Sequence, residues 1–191
     1  EVAKFKGKPY NKTERWNSAS SEGDVTPNPA FSPDGSKLLL MDENYTPTLF
    51  DLSSGRKLRA FGAPQNGNIV TSAIFSSDGT RILTAGPDSA VRVWDAASGT
   101  QLQKINHART TEAATFSPDA QWIASVTTDD TVRIFNAVTG QVVQKIRAGK
   151  RYGASYLRAL FAPDGESLLI WHGSEVVPTL YNFRTGKKIR E

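Results

Sequence analysis

A phenylalanine leading into a Pro-Asp-Gly type turn occurs four times in this chain. The copies are Phe31-Ser32-Pro33-Asp34-Gly35, Phe75-Ser76-Ser77-Asp78-Gly79, Phe116-Ser117-Pro118-Asp119-Ala120 and Phe161-Ala162-Pro163-Asp164-Gly165. Their phenylalanines are 44, 41 and 45 positions apart. A second landmark, an aromatic followed by Asp or Asn, recurs in step at Phe50-Asp51, Trp94-Asp95, Phe135-Asn136 and Tyr181-Asn182. It lies 19, 19, 19 and 20 positions after the phenylalanine. A [Ser/Thr]-Gly pair then closes each unit at Ser54-Gly55, Ser98-Gly99, Thr139-Gly140 and Thr185-Gly186. A period near forty with three landmarks in register restricts the chain to an array of equivalent small units that cover one another's apolar faces.

Each unit has room for four short strands and for no helix. The second copy shows them best, as Ile69–Phe75, Arg81–Gly86, Ala90–Trp94 and Gln101–Ile105, β-branched and aromatic runs separated by turn residues. In Ser-Pro-Asp-Gly, proline suits the first corner of a type I turn and glycine the position where φ must be positive. The four turn aspartates therefore have a structural role, and their recurrence on separate hairpins argues against paired acid–base carboxylates. Copy three carries Ala120 in place of the turn glycine, and copy four has a one-residue insertion around Ser174-Glu175. The expected layout is a first segment, 1–22, holding the last strand of a preceding unit and a polar loop. Units at 23–62, 63–106, 107–148 and 149–191 follow.

Composition narrows the function classes. The chain has 191 residues and no cysteine, which removes disulfides and thiolate metal sites. Its two histidines, His107 and His172, fall in different units, so neither a histidine metal site nor any other metal or cofactor site is expected. Neither a nucleophile elbow nor a phosphate-binding glycine loop is present, so no catalytic residue is assigned. The net charge of +4 is scattered without a long basic run, which disfavours nucleic acid as a partner. The longest apolar runs, around Leu38–Met41 and Leu168–Trp171, are far short of a membrane span. A soluble chain is expected, with the cytoplasm the favoured compartment.

Taken together, the forty-residue units, the Phe-Ser-Pro-Asp-Gly turns and the aromatic-Asp/Asn landmarks resemble the blades of a WD-repeat β-propeller. The nearest matches are Gly86–Asp95 and Thr128–Asn136. The resemblance implies an all-β fold of four-stranded antiparallel blades, with four repeats present. These would be part of a seven- or eight-bladed ring or half of a dimeric one; closure of four blades alone is the least favoured arrangement. Both ends look cut from a repeating array. The family's His, Ser/Thr, Asp and Trp hydrogen-bonded set is matched in part by His107, Ser125 and Asp129 in copy three. In copy two it is matched by Thr84, Asp88 and Trp94.

The resemblance also implies a non-catalytic platform for protein–protein interaction within a larger chain or complex. Missing blades or self-association would complete the ring. The alternative is the sensor or regulatory part of a multidomain enzyme or signalling protein whose chemistry lies elsewhere. Loops joining one blade to the next share a face with the loops between second and third strands, and rigid strands hold them in place. On that face Arg109, Arg151, Tyr152, Tyr156 and His172 are the candidate contact residues, Arg and Tyr being favoured at contact hot spots.

Overall fold

The computed structural model describes residues 29–42, 46–62, 70–148, 157–172 and 175–190. Among these, every regular element is a strand, and the strands fall into four antiparallel sheets of four. The first comprises β1 (Ala30–Phe31), β2 (Lys37–Met41), β3 (Pro47–Asp51) and β4 (Lys57–Ala60); the second β5 (Ser72–Phe75), β6 (Arg81–Gly86), β7 (Ala90–Asp95) and β8 (Gln101–Asn106). The third comprises β9 (Thr111–Phe116), β10 (Trp122–Thr127), β11 (Thr131–Asn136) and β12 (Val142–Arg147). The fourth comprises β13 (Leu157–Phe161), β14 (Ser167–His172), β15 (Glu175–Asn182) and β16 (Lys188–Arg190). Each sheet is a meander in chain order, every neighbour joined by a short hairpin. The second sheet's first strand starts at Ser72, where its cross-strand pairing with β6 begins opposite Ala85; Ile69, where the sequence places its start, lies outside the described residues.

The recurring turns are built from their own side chains. In the first hairpin of every sheet the fourth turn residue donates its N–H to the first residue's carbonyl, as Gly35 to Ser32, Gly79 to Ser76, Ala120 to Ser117 and Gly165 to Ala162. The turn aspartate accepts from the backbone just beyond it, at 3.0 Å from Ser36, Thr80 and Gln121 and 2.8 Å from Glu166. These bonds favour the charged carboxylate: the Ser76 hydroxyl holds Asp78 down to about 2. Ala120 adopts φ of 54° where its three counterparts are glycine, yet it is almost fully buried in the apolar cluster between the second and third sheets. Packing of its methyl group there offsets the left-handed strain.

The third hairpins explain why Asp and Asn interchange at the second landmark. The side-chain Oδ1 of Asp51, Asp95, Asn136 or Asn182 accepts the N–H three residues on, at 2.8, 2.6, 2.9 and 2.9 Å. Either residue supplies that oxygen. The glycine after it closes the loop with positive φ.

Successive sheets pack face against face. Leu39 and Leu49 of the first sheet meet Ala73, Ile82 and Trp94 of the second, and Leu83, Val91 and Val93 meet Phe116, Ile123 and Phe135 of the third. Ala124, Val126 and Ile134 of the third meet Leu157, Phe161 and Phe183 of the fourth. Fully buried side chains of this size each contribute roughly 1.5–3 kcal/mol. Polar pins join the same neighbours: Gln103 Nε2 donates to the Val138 carbonyl and Gln144 Nε2 to the Arg184 carbonyl, both at 3.1 Å. The fourth strands, by contrast, are mostly exposed. Among the described residues the four sheets do not close into a ring.

Candidate functional site

The hydrogen bonds between loops show which of them share an edge. His107 donates its backbone N–H to the Ser89 carbonyl at 2.7 Å, tying the start of the loop after β8 to the β6–β7 turn. Three residues later, the Thr128 N–H reaches the Thr110 carbonyl at 3.0 Å, tying the end of the same loop to the β10–β11 turn. The loop 107–110 is thus clamped between the turns of two adjacent sheets. Arg109 stands exposed at its centre. The Ala148 N–H bonds the Asp130 carbonyl at 3.1 Å, so the chain leaves the third sheet at the same edge. His172 ends β14 opposite Leu157 and Glu175, a backbone position at the corresponding end of the fourth sheet. Arg151, Tyr152 and Tyr156 lie outside the described residues.

Below this edge each middle sheet carries an ion pair facing the preceding sheet. Arg92 Nη2 contacts Asp88 Oδ2 at 2.5 Å, and Arg133 Nη2 contacts Asp129 Oδ2 at 2.9 Å. Both pairs join the second-to-third strand turn to its own third strand. Arg133 also donates to the Thr127 hydroxyl, which itself donates to Asp129. The Arg133 hydrogen bond holds the Asp129 carboxyl well below the usual carboxylate range. Neither arginine was singled out from the sequence, although Asp88-x-x-x-Arg92 and Asp129-x-x-x-Arg133 stand at equivalent places in their repeats.

The six residues matched to the blade network are brought together only in part. Trp94 Nε1 donates to Thr84 Oγ1 at 2.9 Å in a buried bond, while Asp88 is engaged by Arg92 and by the Ala90 N–H. In the third sheet Ser125 Oγ lies 3.5 Å from the Arg133 carbonyl, because Phe135, at the position of Trp94, has no donor. His107 packs edge-on against Phe135 with centroids 5.2 Å apart, and its Nε2 is buried without a hydrogen-bond partner among the described residues. Burial, reinforced by Arg133 and opposed by Asp129, brings the imidazole down to about 4. His107 is therefore neutral near pH 7 and acts as a packing residue under the loop edge.

A shallow cavity of about 410 Å³ opens elsewhere, in the outer groove between the first two sheets, beside Lys37, Arg56, Lys57 and Arg59. Lys57 is paired with Asp42 at 3.2 Å and Lys37 with Asp34 at 3.8 Å, so part of this charge is already neutralised. Among the described residues no group of three or more His, Cys, Asp or Glu side chains could hold a metal ion. No helix among them is long and apolar enough to cross a membrane.

Four-stranded meanders stacked through equivalent faces, with inter-sheet loops and second turns on one edge, define a propeller-blade protein. The family model for the WD domain, G-beta repeat, matches residues 55–95 and 99–136, so these two segments are WD repeats. No curated protein matches the chain. The two matched segments run from the last strand of the first sheet through the second sheet and the first three strands of the third, and include the Asp–Arg pairs and the clamped loop.

Proposed function

We propose that this chain is a non-catalytic interaction scaffold that docks a protein partner on the edge formed by the inter-sheet loops and the second-to-third strand turns. The loop 107–110, hydrogen-bonded to a turn on either side, carries the proposal: it presents an exposed arginine from a backbone that is already ordered. Pre-ordering lowers the entropy lost on binding, and arginine is favoured at contact hot spots. WD repeats generally mediate protein–protein interaction and are typically non-catalytic, which supports the same reading. Arg151, Tyr152, Tyr156 and His172 belong to this proposed edge, with the blades running over 23–62, 63–106, 107–148 and 149–191. The segment holding Arg151 follows Ala148, which is bonded to the third sheet's turn.

The test is cross-linking capture from a homologous lysate with three baits: the wild-type chain, Arg109→Glu, and Leu102→Glu on the exposed fourth strand of the second sheet. A partner retained by wild type and Leu102→Glu but reduced at least about tenfold by Arg109→Glu is the expected result. Equal retention of every captured protein by all three baits would exclude this edge as the docking surface.

A further inference from the structure

The outer groove between the first two sheets differs in charge and in filling from the two that follow it, although all three are built from matching places. Strand register and the hydrogen bonds of the third hairpins match Lys37, Arg56, Lys57 and Arg59 of the first sheet with Arg81, Thr100, Gln101 and Gln103 of the second. In the third sheet the same places hold Trp122, Gln141, Val142 and Gln144. Cations therefore fill every one of these places at the first groove, a single one at the second and none at the third. The facing wall, the third hairpin of the following sheet, changes as well: Ala96-Ala97 at the first groove, Ala137-Val138 at the second and Phe183-Arg184 at the third.

The later grooves are closed by their own side chains. Arg81 reaches across to the third sheet, where its Nη2 donates to the Ala120 carbonyl at 2.8 Å and its guanidinium lies 5.4 Å from the Phe116 ring centre. In the third groove Trp122 packs on Phe183, and the Arg184 guanidinium stacks over Trp122 at 4.9 Å. Gln103 and Gln144 add their bonds to the facing hairpins. In the first groove Lys37 turns back instead to Ser36 and Asp34 of its own hairpin, at 3.0 and 3.8 Å. With only alanines opposite, the cavity of about 410 Å³ stays open, and Leu49, Leu58 and Ala96 give it an apolar lining.

Two of its charges are met locally, Lys57 by Asp42 and Lys37 by Asp34, the second at an exposed distance worth little. The guanidinium groups of Arg56 and Arg59 make no ion pair or hydrogen bond among the described residues. The carboxylates of Asp51 and Asp95 lie nearby, but they are held chiefly by Ser54 and Ser98 of their own hairpins, with Arg56 and Arg59 the weakest of their partners. Arg59 is fixed against the facing wall, its Cδ 3.2 Å from where a Cβ on Gly99 would stand.

We propose that this groove binds a short acidic peptide segment of a partner protein, its carboxylates meeting Arg56, Arg59 and the two lysines and its apolar side chains resting on Leu49, Leu58 and Ala96. A lone inorganic anion would leave the apolar lining unused. A nucleic acid calls for basic surface that continues along its backbone, and the matching places at the next two grooves are neutral or already engaged. The groove lies towards the opposite ends of the strands from the loop edge, so this binding stands or falls separately from the docking of a partner there.

The probe is a pooled library of short peptides with Asp or Glu at alternate positions and uncharged residues between, captured on the immobilised full chain. The same library with Lys in place of the acids is the control, and enriched peptides are titrated by fluorescence anisotropy. Arg56→Thr, Lys57→Gln and Arg59→Gln together give the first sheet the residues that the second already folds with, and should weaken binding at least about tenfold. Arg56→Thr alone, at an exposed position, should weaken it about two- to threefold and keeps the test open if the triple variant loses strand content by circular dichroism. Removing as many charges outside the groove, by Lys104→Gln, Lys145→Gln and Arg147→Gln, should change binding by less than about twofold, as should Arg109→Glu. No enrichment of the acidic library over the Lys library, equal weakening by the two triple variants, or loss of binding in Arg109→Glu would overturn the proposal. Groove-dependent binding of single-stranded oligothymidine tighter than that of any enriched peptide would overturn it in favour of nucleic acid.

Discussion

The buried bond from Trp94 Nε1 to Thr84 Oγ1 offers a quantitative test of how a blade is held together, because the third sheet contains the same two positions without the bond. Thr84 is 2% exposed and Trp94 9% exposed, so neither group left alone regains full hydration. Thr84→Val removes the acceptor and strands the indole N–H, at a cost of about 1–3 kcal/mol. Trp94→Phe strands the hydroxyl and also empties volume in the cluster with Leu39, Leu49 and Phe61, for about 2–4 kcal/mol. In the double variant neither group is left unpaired, so its cost should fall short of the sum of the singles by about 1 kcal/mol or more. Ser125→Ala is the internal control: with Phe135 opposite and a long 3.5 Å contact to the Arg133 carbonyl, it should cost no more than about 1 kcal/mol. Chemical denaturation of the five proteins, with m-values compared to confirm a common transition, measures all of these. Additivity of the two single variants within about 0.3 kcal/mol would refute the buried bond as an energetic coupling.

His107 and Gly140 give two further expectations. Because folding lowers the His107 value from 6.5 to about 4, the unfolded chain binds the proton first, and stability falls as pH drops from about 6.5 towards 4. The full shift corresponds to about 3 kcal/mol, and the partial exposure of the ring reduces this to about 1–2 kcal/mol. Urea titrations across that window should show the slope in wild type and its loss in His107→Phe; equal slopes would refute the assignment. The turn aspartates Asp34, Asp78, Asp119 and Asp164 act in a lower window, since their values are depressed and their contribution is lost only as pH falls below about 4. Gly140→Ala and Gly35→Ala meet the same φ of 70°, about 1–2 kcal/mol of strain each. Only at Gly140 does the new methyl also meet Gln103 Nε2, at 2.9 Å, so thermal unfolding should show the larger loss there. Equal losses would remove Gln103 as an inter-sheet pin.

Local structure was legible in the sequence wherever a few adjacent residues satisfy one another. The Ser-Pro-Asp-Gly turns and the Asp/Asn-x-x-[Ser/Thr]-Gly hairpins close their own hydrogen bonds, so pattern and spacing suffice to place sixteen short strands in four sheets. What depends on neighbouring sheets was harder to read. The exchange of glycine for Ala120 looks like a flaw in the turn until the methyl is seen inside the core of the second joint. The partial His, Ser, Asp sets suggested a hydrogen-bonded network, whereas Arg92 and Arg133 claim the aspartates. The repeated Asp-x-x-x-Arg spacing was the available clue. The loop edge around Arg109 follows from strand order, but its clamping by Ser89 and Thr128 required coordinates.

The central claim is that equivalent sheets lean on one another through aromatic and aliphatic faces, and inter-ring nuclear Overhauser contacts test it most directly. Trp122 on β10 and Phe183 beyond β15 belong to different sheets with ring centroids 5.8 Å apart, and Phe61 and Trp94 bridge the first two sheets at 6.2 Å. Phe161 and Phe183, at 5.2 Å within the fourth sheet, serve as the reference. Cross-peaks for all three pairs are predicted; the reference peak with both inter-sheet peaks missing would contradict the stacking.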